Sequence, residues 1–141
     1  MGDIFDVLAS RRSCRNFRSE NILDEELERI ILAGQYAPSG LNRQSAIIIN
    51  LNDEKVRNQL MLLNSRIFNK PGMDTFYGAP HILVVLADKT IPTYIYDGTL
   101  VLGNMMNEAE SLGVASCWIH RAKEEFETPL GKKILEQLGI K

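Results

Sequence analysis

Residues 93–119 read TYIYDGTLVLGNMMNEAESLGVASCWI. The spacing predicts a long helix over residues 93–112. Its apolar residues, Leu100, Val101, Leu102, Met105 and Met106, fall on more than one face of a 3.6-residue period. A helix apolar nearly all round is buried in a core or an interface. Gly98, Gly103 and Ala109 would let a neighbouring helix approach closely. Gly113 is placed to end the helix in a left-handed cap, and residues 114–119 then read as a buried strand. The combination points to a mixed α and β fold. Its central helix has apolar surface to spare, as in a homodimer that completes its core across two copies.

Upstream, residues 46–51 and 81–87 are short apolar runs and read as two more buried strands. Between them Asn52-Asp53 opens a helix to about residue 64, with Val56, Leu60 and Leu63 on one side. Residues 68–77 contain Asn69-Lys70-Pro71-Gly72 and read as a loop. A helix over residues 24–36 has Asp24 as N-cap, Glu25 and Glu26 at its positive end, and a buried stripe of Leu27, Ile30 and Ile31. Residues 3–10 suit a short helix capped by Asp3, with Ile4, Val7 and Leu8 on one face. Downstream, Thr128 as N-cap and Pro129 at the first helical position start a last helix that Gly139 ends. The expected order is α-α-β-α-β-α-β-α, with a thin three-stranded sheet.

The chain has 141 residues, a net charge of −2 and 45% hydrophobic residues. That is one domain's worth of length, and enough apolar surface to offset chain entropy. No run approaches the roughly twenty apolar residues of a membrane span. The acidic balance gives nucleic acid no global electrostatic attraction. The N-terminal stretch MGDIFDVLASRRS lacks a signal peptide's apolar region, and Met1-Gly2 is not followed by a myristoylation pattern. Cys14 and Cys117 make no disulfide framework, and with His81 and His120 they show no metal-ligand spacing. These features read as a reducing, cytoplasmic protein without a bound metal.

Three segments carry polar chemistry. Arg11-Arg12-Ser13-Cys14-Arg15 is either a solvated basic loop or a phosphate site, since guanidinium forks bind phosphate oxygens in bidentate fashion. Pro38-Ser39-Gly40-Leu41-Asn42-Arg43-Gln44 is either a plain turn or a row of neutral donors and acceptors suited to a flat heterocycle. Trp118, the single tryptophan, is either a core residue or the lining of a ring site where a strand ends. Cys117 reads as a small buried hydrophobe and His81 as a structural histidine. Glu124-Glu125 reads as helix-end surface charge. No P-loop, G-x-G-x-x-G or H-E-x-x-H is present.

Taken together, these segments resemble the FMN-dependent nitroreductase family over nearly the whole chain. Arg11-Arg12-Ser13-Cys14-Arg15-Asn16-Phe17 is similar to its R-R-S-x-R-x-F segment. Ala37-Pro38-Ser39-Gly40-Leu41-Asn42-Arg43-Gln44 is similar to its A-P-S-x-x-N-x-Q loop. Tyr77-Gly78-Ala79-Pro80 and the strand after it resemble its G-A-P strand. Residues 97–112 resemble its dimer-interface helix, and residues 112–119 its L-G-x-x-S-C-W-I strand. The resemblance implies an α+β nitroreductase-like fold, with a small central, mostly antiparallel sheet flanked by helices. It implies one such domain over residues 1–141, in an intertwined homodimer with FMN at the subunit interface. By that reading Arg11, Arg12, Ser13 and Arg15 hold the flavin phosphate and ring edge. Ser39, Gly40, Asn42 and Gln44 reach the isoalloxazine from the other subunit, and Asn64 faces its pyrimidine edge. Trp118, Ile119, His120 and Arg121 form the loop whose backbone amides approach flavin N5 and O4. Arg121 stands where the family often has glycine. The chain also stops short of the family's usual C-terminal strand and arm.

The activity implied is hydride transfer from NADH or NADPH through flavin N5 to a nitroaromatic or quinone-like small-molecule acceptor, in ping-pong order. No side-chain acid or base is demanded. A non-catalytic FMN-binding protein and a cofactor-free relic of the family are the alternatives, the second favoured by the short C-terminus.

Overall fold

Local sequence sets most element boundaries. The computed structural model describes residues 3–141, so Met1 and Gly2, on which the leader and myristoylation readings partly rest, lie outside the described residues. The helices are α1 (Ile4–Ser10), α2 (Asp24–Gln35), α3 (Glu54–Ile67), α4 (Tyr94–Ser111), α5 (Ala122–Glu127) and α6 (Pro129–Gln137). The strands are β1 (Ile47–Leu51) and β2 (Ile82–Leu86), paired antiparallel in a two-stranded sheet. Among the described residues no helix is long and apolar enough to cross a membrane.

By contact density the chain divides into two units. The first is built from the segment ending at Cys14, with Glu20–Asn50 and Leu83–Trp118. It contains α1, α2 and α4. The second is built from Arg15–Ser19, Leu51–Ile82 and Ile119–Lys141, and contains α3, α5 and α6.

In the first unit α2 and α4 pack together around Ile30, Ala37, Val101, Met105 and Ala109. The close approach is made at Gly34 of α2. A β-carbon there would lie 2.7 Å from Met105 Cγ and 2.9 Å from Ile48 Cδ1. The expected approach sites on α4 are looser. A β-carbon at Gly98 would make ordinary contacts at 3.7 Å, and one at Gly103 would meet nothing within 4 Å. Asn104 Nδ2 donates to Ala33 O at 3.0 Å, tying the two helices across the same face.

In the second unit Leu60, Leu63, Phe76, Phe126 and Ile134 are buried. Asp53 caps α3, accepting from Val56 N–H at 3.1 Å, and Thr128 caps α6, accepting from Gly131 N–H at 3.0 Å. The segment after α3 is organised by Asp74. Its carboxylate accepts from Phe76 N–H at 2.9 Å and Gly78 N–H at 3.0 Å, and pairs with buried Arg57 at 3.0 Å.

Several expectations need correction. The third strand does not form. Ser116 makes one parallel bridge to Ser13, with Cys14 N–H donating to Ser116 O at 2.9 Å. A ladder needs a partner alongside on successive rungs, and the arginine segment supplies one. β1 is half-buried rather than enclosed, with Ile49 and Leu51 inside and Ile47 and Asn50 outside. Leu23, not Asp24, occupies the N-cap of α2, and Glu26 accepts from its N–H at 3.4 Å. Ile4, Phe5 and Leu8 of α1 are exposed, since among the described residues no element covers that face. α5 was not anticipated. His81 Nδ1 is buried without a hydrogen-bond partner, so this histidine is not a satisfied one.

Candidate functional site

In the first unit the loop at residues 39–44 folds on itself. Ser39 Oγ accepts from Gln44 N–H at 3.0 Å, and Gln44 Nε2 donates to Asn42 Oδ1 at 2.9 Å. Gly40–Asn42 forms a single 3₁₀ turn. Leu41, Asn42 and Gln44 all have positive φ, at 54°, 54° and 56°. Left-handed backbone at a non-glycine residue costs on the order of 1 kcal/mol and persists only where surroundings over-determine it. Three such residues in six mark this loop as a built feature.

Asp97, in the first turn of α4, holds the loop in place. The residue is 2% exposed. Its Oδ1 accepts from Gly40 N–H at 3.0 Å and its Oδ2 from Thr93 Oγ1 at 2.8 Å. Glycine is required at position 40 because a β-carbon would collide with the Thr93 hydroxyl and methyl. A shallow cavity beside the loop is lined by Gln35, Ser39, Gln44, Ile48, Asp97 and Val101, among others. Asn42 and Gln44 are exposed. Their mutual hydrogen bond leaves Asn42 Nδ2 and Gln44 Oε1 for a ligand edge.

The arginine segment leaves the end of α1. Arg11 is its C-cap residue, with its N–H donating to Val7 O. Arg12 Nη1 donates to Ala9 O at 2.8 Å and Arg11 O at 2.9 Å, so part of this guanidinium closes the helix's carbonyl end. Ser13 is held by the bridge to Ser116. Trp118 is 45% exposed and therefore not a core residue. Cys117 is half-buried beside it.

The second unit carries Arg15, Asn64 and residues 119–121. Arg15 and His120 are exposed, while Ile119 and Arg121 are half-buried. Asn64 has no exposed surface. Its Nδ2 donates to His120 O at 2.9 Å and to Glu125 Oε2 at 3.1 Å, and its Oδ1 accepts from Arg121 Nε at 3.0 Å. Asn64, which the sequence places at a pyrimidine edge, has both polar atoms of its amide engaged within the protein, by the 120–121 loop and by Glu125. Arg121 has φ 81°, the left-handed region where glycine is at home. Its guanidinium stacks on the Phe68 ring at 4.1 Å, which turns the side chain onto the protein.

The reading of Glu125 as surface charge is corrected. Glu124 is exposed, but Glu125 is 4% exposed, and burial pushes its carboxyl up to about 7 despite the Asn64 hydrogen bond and the Arg121 charge. Sequence reasoning missed Asp97 and Glu125 as site-building residues. For Asp97 a signal existed: it is a lone acid in an otherwise apolar stretch. For Glu125 none did, since it shares a charged run with Lys123 and Glu124. Among the described residues no three His, Cys, Asp or Glu side chains are grouped so as to hold a metal ion.

The family model that describes the Nitroreductase family matches residues 8–141. Over 145 aligned residues the chain is 28% identical to a protein named "Putative NADH dehydrogenase/NAD(P)H nitroreductase" from Archaeoglobus fulgidus, covering 99% of this chain and 78% of that one. Among solved structures, an FMN-bound nitroreductase from Desulfitobacterium hafniense superposes with a TM-score of 0.88 at 28% identity, covering 100% of this chain and 82% of that one. A nitroreductase with bound FMN from Bacteroides fragilis superposes with a TM-score of 0.90 at 24% identity, again over 100% and 82%.

Proposed function

Because the chain belongs to the nitroreductase family, we propose that it is an FMN-dependent oxidoreductase that draws electrons from NAD(P)H. A relative named for NAD(P)H nitroreduction and a similar structure holding FMN support this reading. The observation that carries it is the loop at residues 39–44. It is exposed, strained and pinned by Asp97, and it presents neutral amide groups of the kind a flavin's alternating carbonyl and N–H edges require.

In this proposal Ser39, Gly40, Asn42 and Gln44 hold the ring, while Arg11, Arg12, Ser13 and Arg15 hold the phosphate. Trp118, Ile119, His120 and Arg121 supply a loop of backbone N–H groups, and Asn64 holds that loop rather than touching the cofactor. Bound there, FMN would supply the redox chemistry between the nicotinamide donor and an organic acceptor, and these residues would hold and orient it. The arginine cations offset the phosphate charge, and donors fixed before reaction stabilise negative charge without reorganisation. One face used in turn by donor and acceptor gives ping-pong kinetics, with a nitroaromatic or quinone as acceptor. The exposed apolar faces of α1 (Ile4, Phe5, Leu8) and α4 (Ile95, Tyr96, Leu100) fit a homodimer.

An absorbance spectrum of the purified chain, before and after adding FMN and removing the excess, tests the reading. Flavin bands that persist, bleach anaerobically with NADH or NADPH and return with a quinone are expected. Retained flavin that neither nucleotide reduces would make this a flavin-binding protein, and no retained flavin would overturn the proposal.

A further inference from the structure

The buried cluster of Glu125, Asn64 and Arg121 lies within the second unit and is built from α5, α3 and the loop before α5. Asn64 bridges the cluster. Its amide nitrogen reaches both the Glu125 carboxylate at 3.1 Å and the His120 carbonyl at 2.9 Å. Its oxygen accepts from Arg121 Nε at 3.0 Å. Every hydrogen bond that holds the side of Asn64 facing the loop therefore depends on where the carboxylate holds its amide. Glu125 is itself fixed at both ends of its backbone. Its N–H donates to Arg121 O at 3.0 Å, and its carbonyl accepts from Thr128 Oγ1 at 2.6 Å. Its second carboxylate oxygen, Oε1, is buried with no partner. A buried acceptor with nothing to accept is costly when charged and far less so when it carries a proton.

We propose that Glu125 is a positioning residue that, through Asn64, holds the His120–Arg121 backbone in its left-handed turn, and that the neutral acid is the form that holds it. The inference rests on the reading of residues 118–121 as the loop that serves the cofactor. The reasoning is one of linkage. Opening the loop returns Glu125 to water, where its carboxyl ionises at the ordinary pH, so rising pH favours the open loop. Burial raises this carboxyl from 4.5 to about 7, so the change runs between those two pH values. The charges acting on Glu125 are Arg121, which favours ionisation, and Glu124, which opposes it. α3 presents the neutral amide of Asn64, and α6 meets Glu125 at its main chain, through Thr128 and Gly131.

The test compares wild type, Glu125→Gln and Glu125→Ala as full chains. Two quantities are read at pH 4.5 and pH 7.5: amide hydrogen exchange of residues 119–122 without FMN, and the FMN dissociation constant. Glutamine keeps an oxygen for Asn64 and cannot ionise. At pH 4.5 it is expected to match wild type in both quantities. Alanine is expected to lose about tenfold of the exchange protection at residues 119–122, the equilibrium equivalent of one buried hydrogen bond, and to bind FMN more weakly. From pH 4.5 to pH 7.5 wild type is expected to lose protection and affinity relative to Glu125→Gln. The FMN phosphate ionises near pH 6 and affects both proteins alike, so the difference between them is what is read. Wild-type protection at residues 119–122 in Glu125→Ala, or identical pH courses for wild type and Glu125→Gln, would overturn the proposal. If alanine accelerates exchange along the whole chain, the fold has loosened and the Glu125→Gln comparison decides. If wild type retains no FMN, the functional reading fails, and exchange still decides the role of Glu125.

Discussion

Removing the carboxylate of Asp97 should loosen the loop at residues 39–44. The carboxylate makes two hydrogen bonds, to Gly40 N–H at 3.0 Å and to the Thr93 hydroxyl at 2.8 Å, from a residue 2% exposed. Hydrogen bonds to a charged group contribute roughly 1.5–3 kcal/mol each, and an abandoned buried donor costs about 1–3 kcal/mol. Against this stands relief of the cost of burying the charge itself. For Asp97→Ala the balance is a loss of about 2–4 kcal/mol. Asp97→Asn keeps one oxygen for Gly40 N–H, and its new N–H can be accepted by the Thr93 hydroxyl once that group rotates. Its loss should be about half as large. Urea unfolding followed by circular dichroism gives the stabilities, and titration with FMN gives the affinities. The expected order in both is wild type, then asparagine, then alanine. Alanine within about 0.5 kcal/mol of wild type, with unchanged FMN affinity, would refute the idea that Asp97 pins this loop.

Arg15→Ala should lower FMN affinity about tenfold, the scale of one charge-assisted phosphate contact; unchanged flavin content after dialysis would remove Arg15 from the site. Gly131→Ala, which in an open helix would gain about 1 kcal/mol, should instead cost about 2–3 kcal/mol in urea unfolding. Its β-carbon would meet the Glu125 carbonyl oxygen and lie 2.7 Å from Phe126 Cα, and backbone cannot rotate aside; a stabilised variant would contradict the packing of α5 on α6. Glu125 predicts a pH dependence. Its carboxyl is raised from 4.5 to about 7, so the folded chain holds that proton more tightly. Its contribution is full below about pH 4.5 and lost as pH rises to about 7, by up to roughly 3 kcal/mol. Denaturation midpoints of Glu125→Gln should lack that component between those pH values.

Signals that act within one turn of chain were legible. Asp53 and Thr128 cap the helices they precede, Pro129 takes the first position of α6, and Gly113 and Gly139 adopt the left-handed conformation at φ 72° and 77°. The stripes of α2 and α3 were readable for the same reason: Leu27 and Ile30, and Leu60 and Leu63, lie three residues apart on one face. The third strand was misread because apolar β-branched composition says that a segment can be extended, not that a partner runs beside it.

The sequence by itself therefore determined α1, α2, α3, α4 and α6, the caps of α3 and α6, the two strands and the order of segments through which the family is recognised. Tertiary structure decided which polar groups those segments would bury and what each would hold. Asp97 meets Gly40 across 57 residues of chain, and Glu125 meets Asn64 across 61. Neither partner leaves a trace in local spacing, because a carboxylate's burial depends on what folds over it rather than on its neighbours in sequence. The same holds for Arg121, whose left-handed backbone is tolerated because Asn64 and Phe68 hold its side chain.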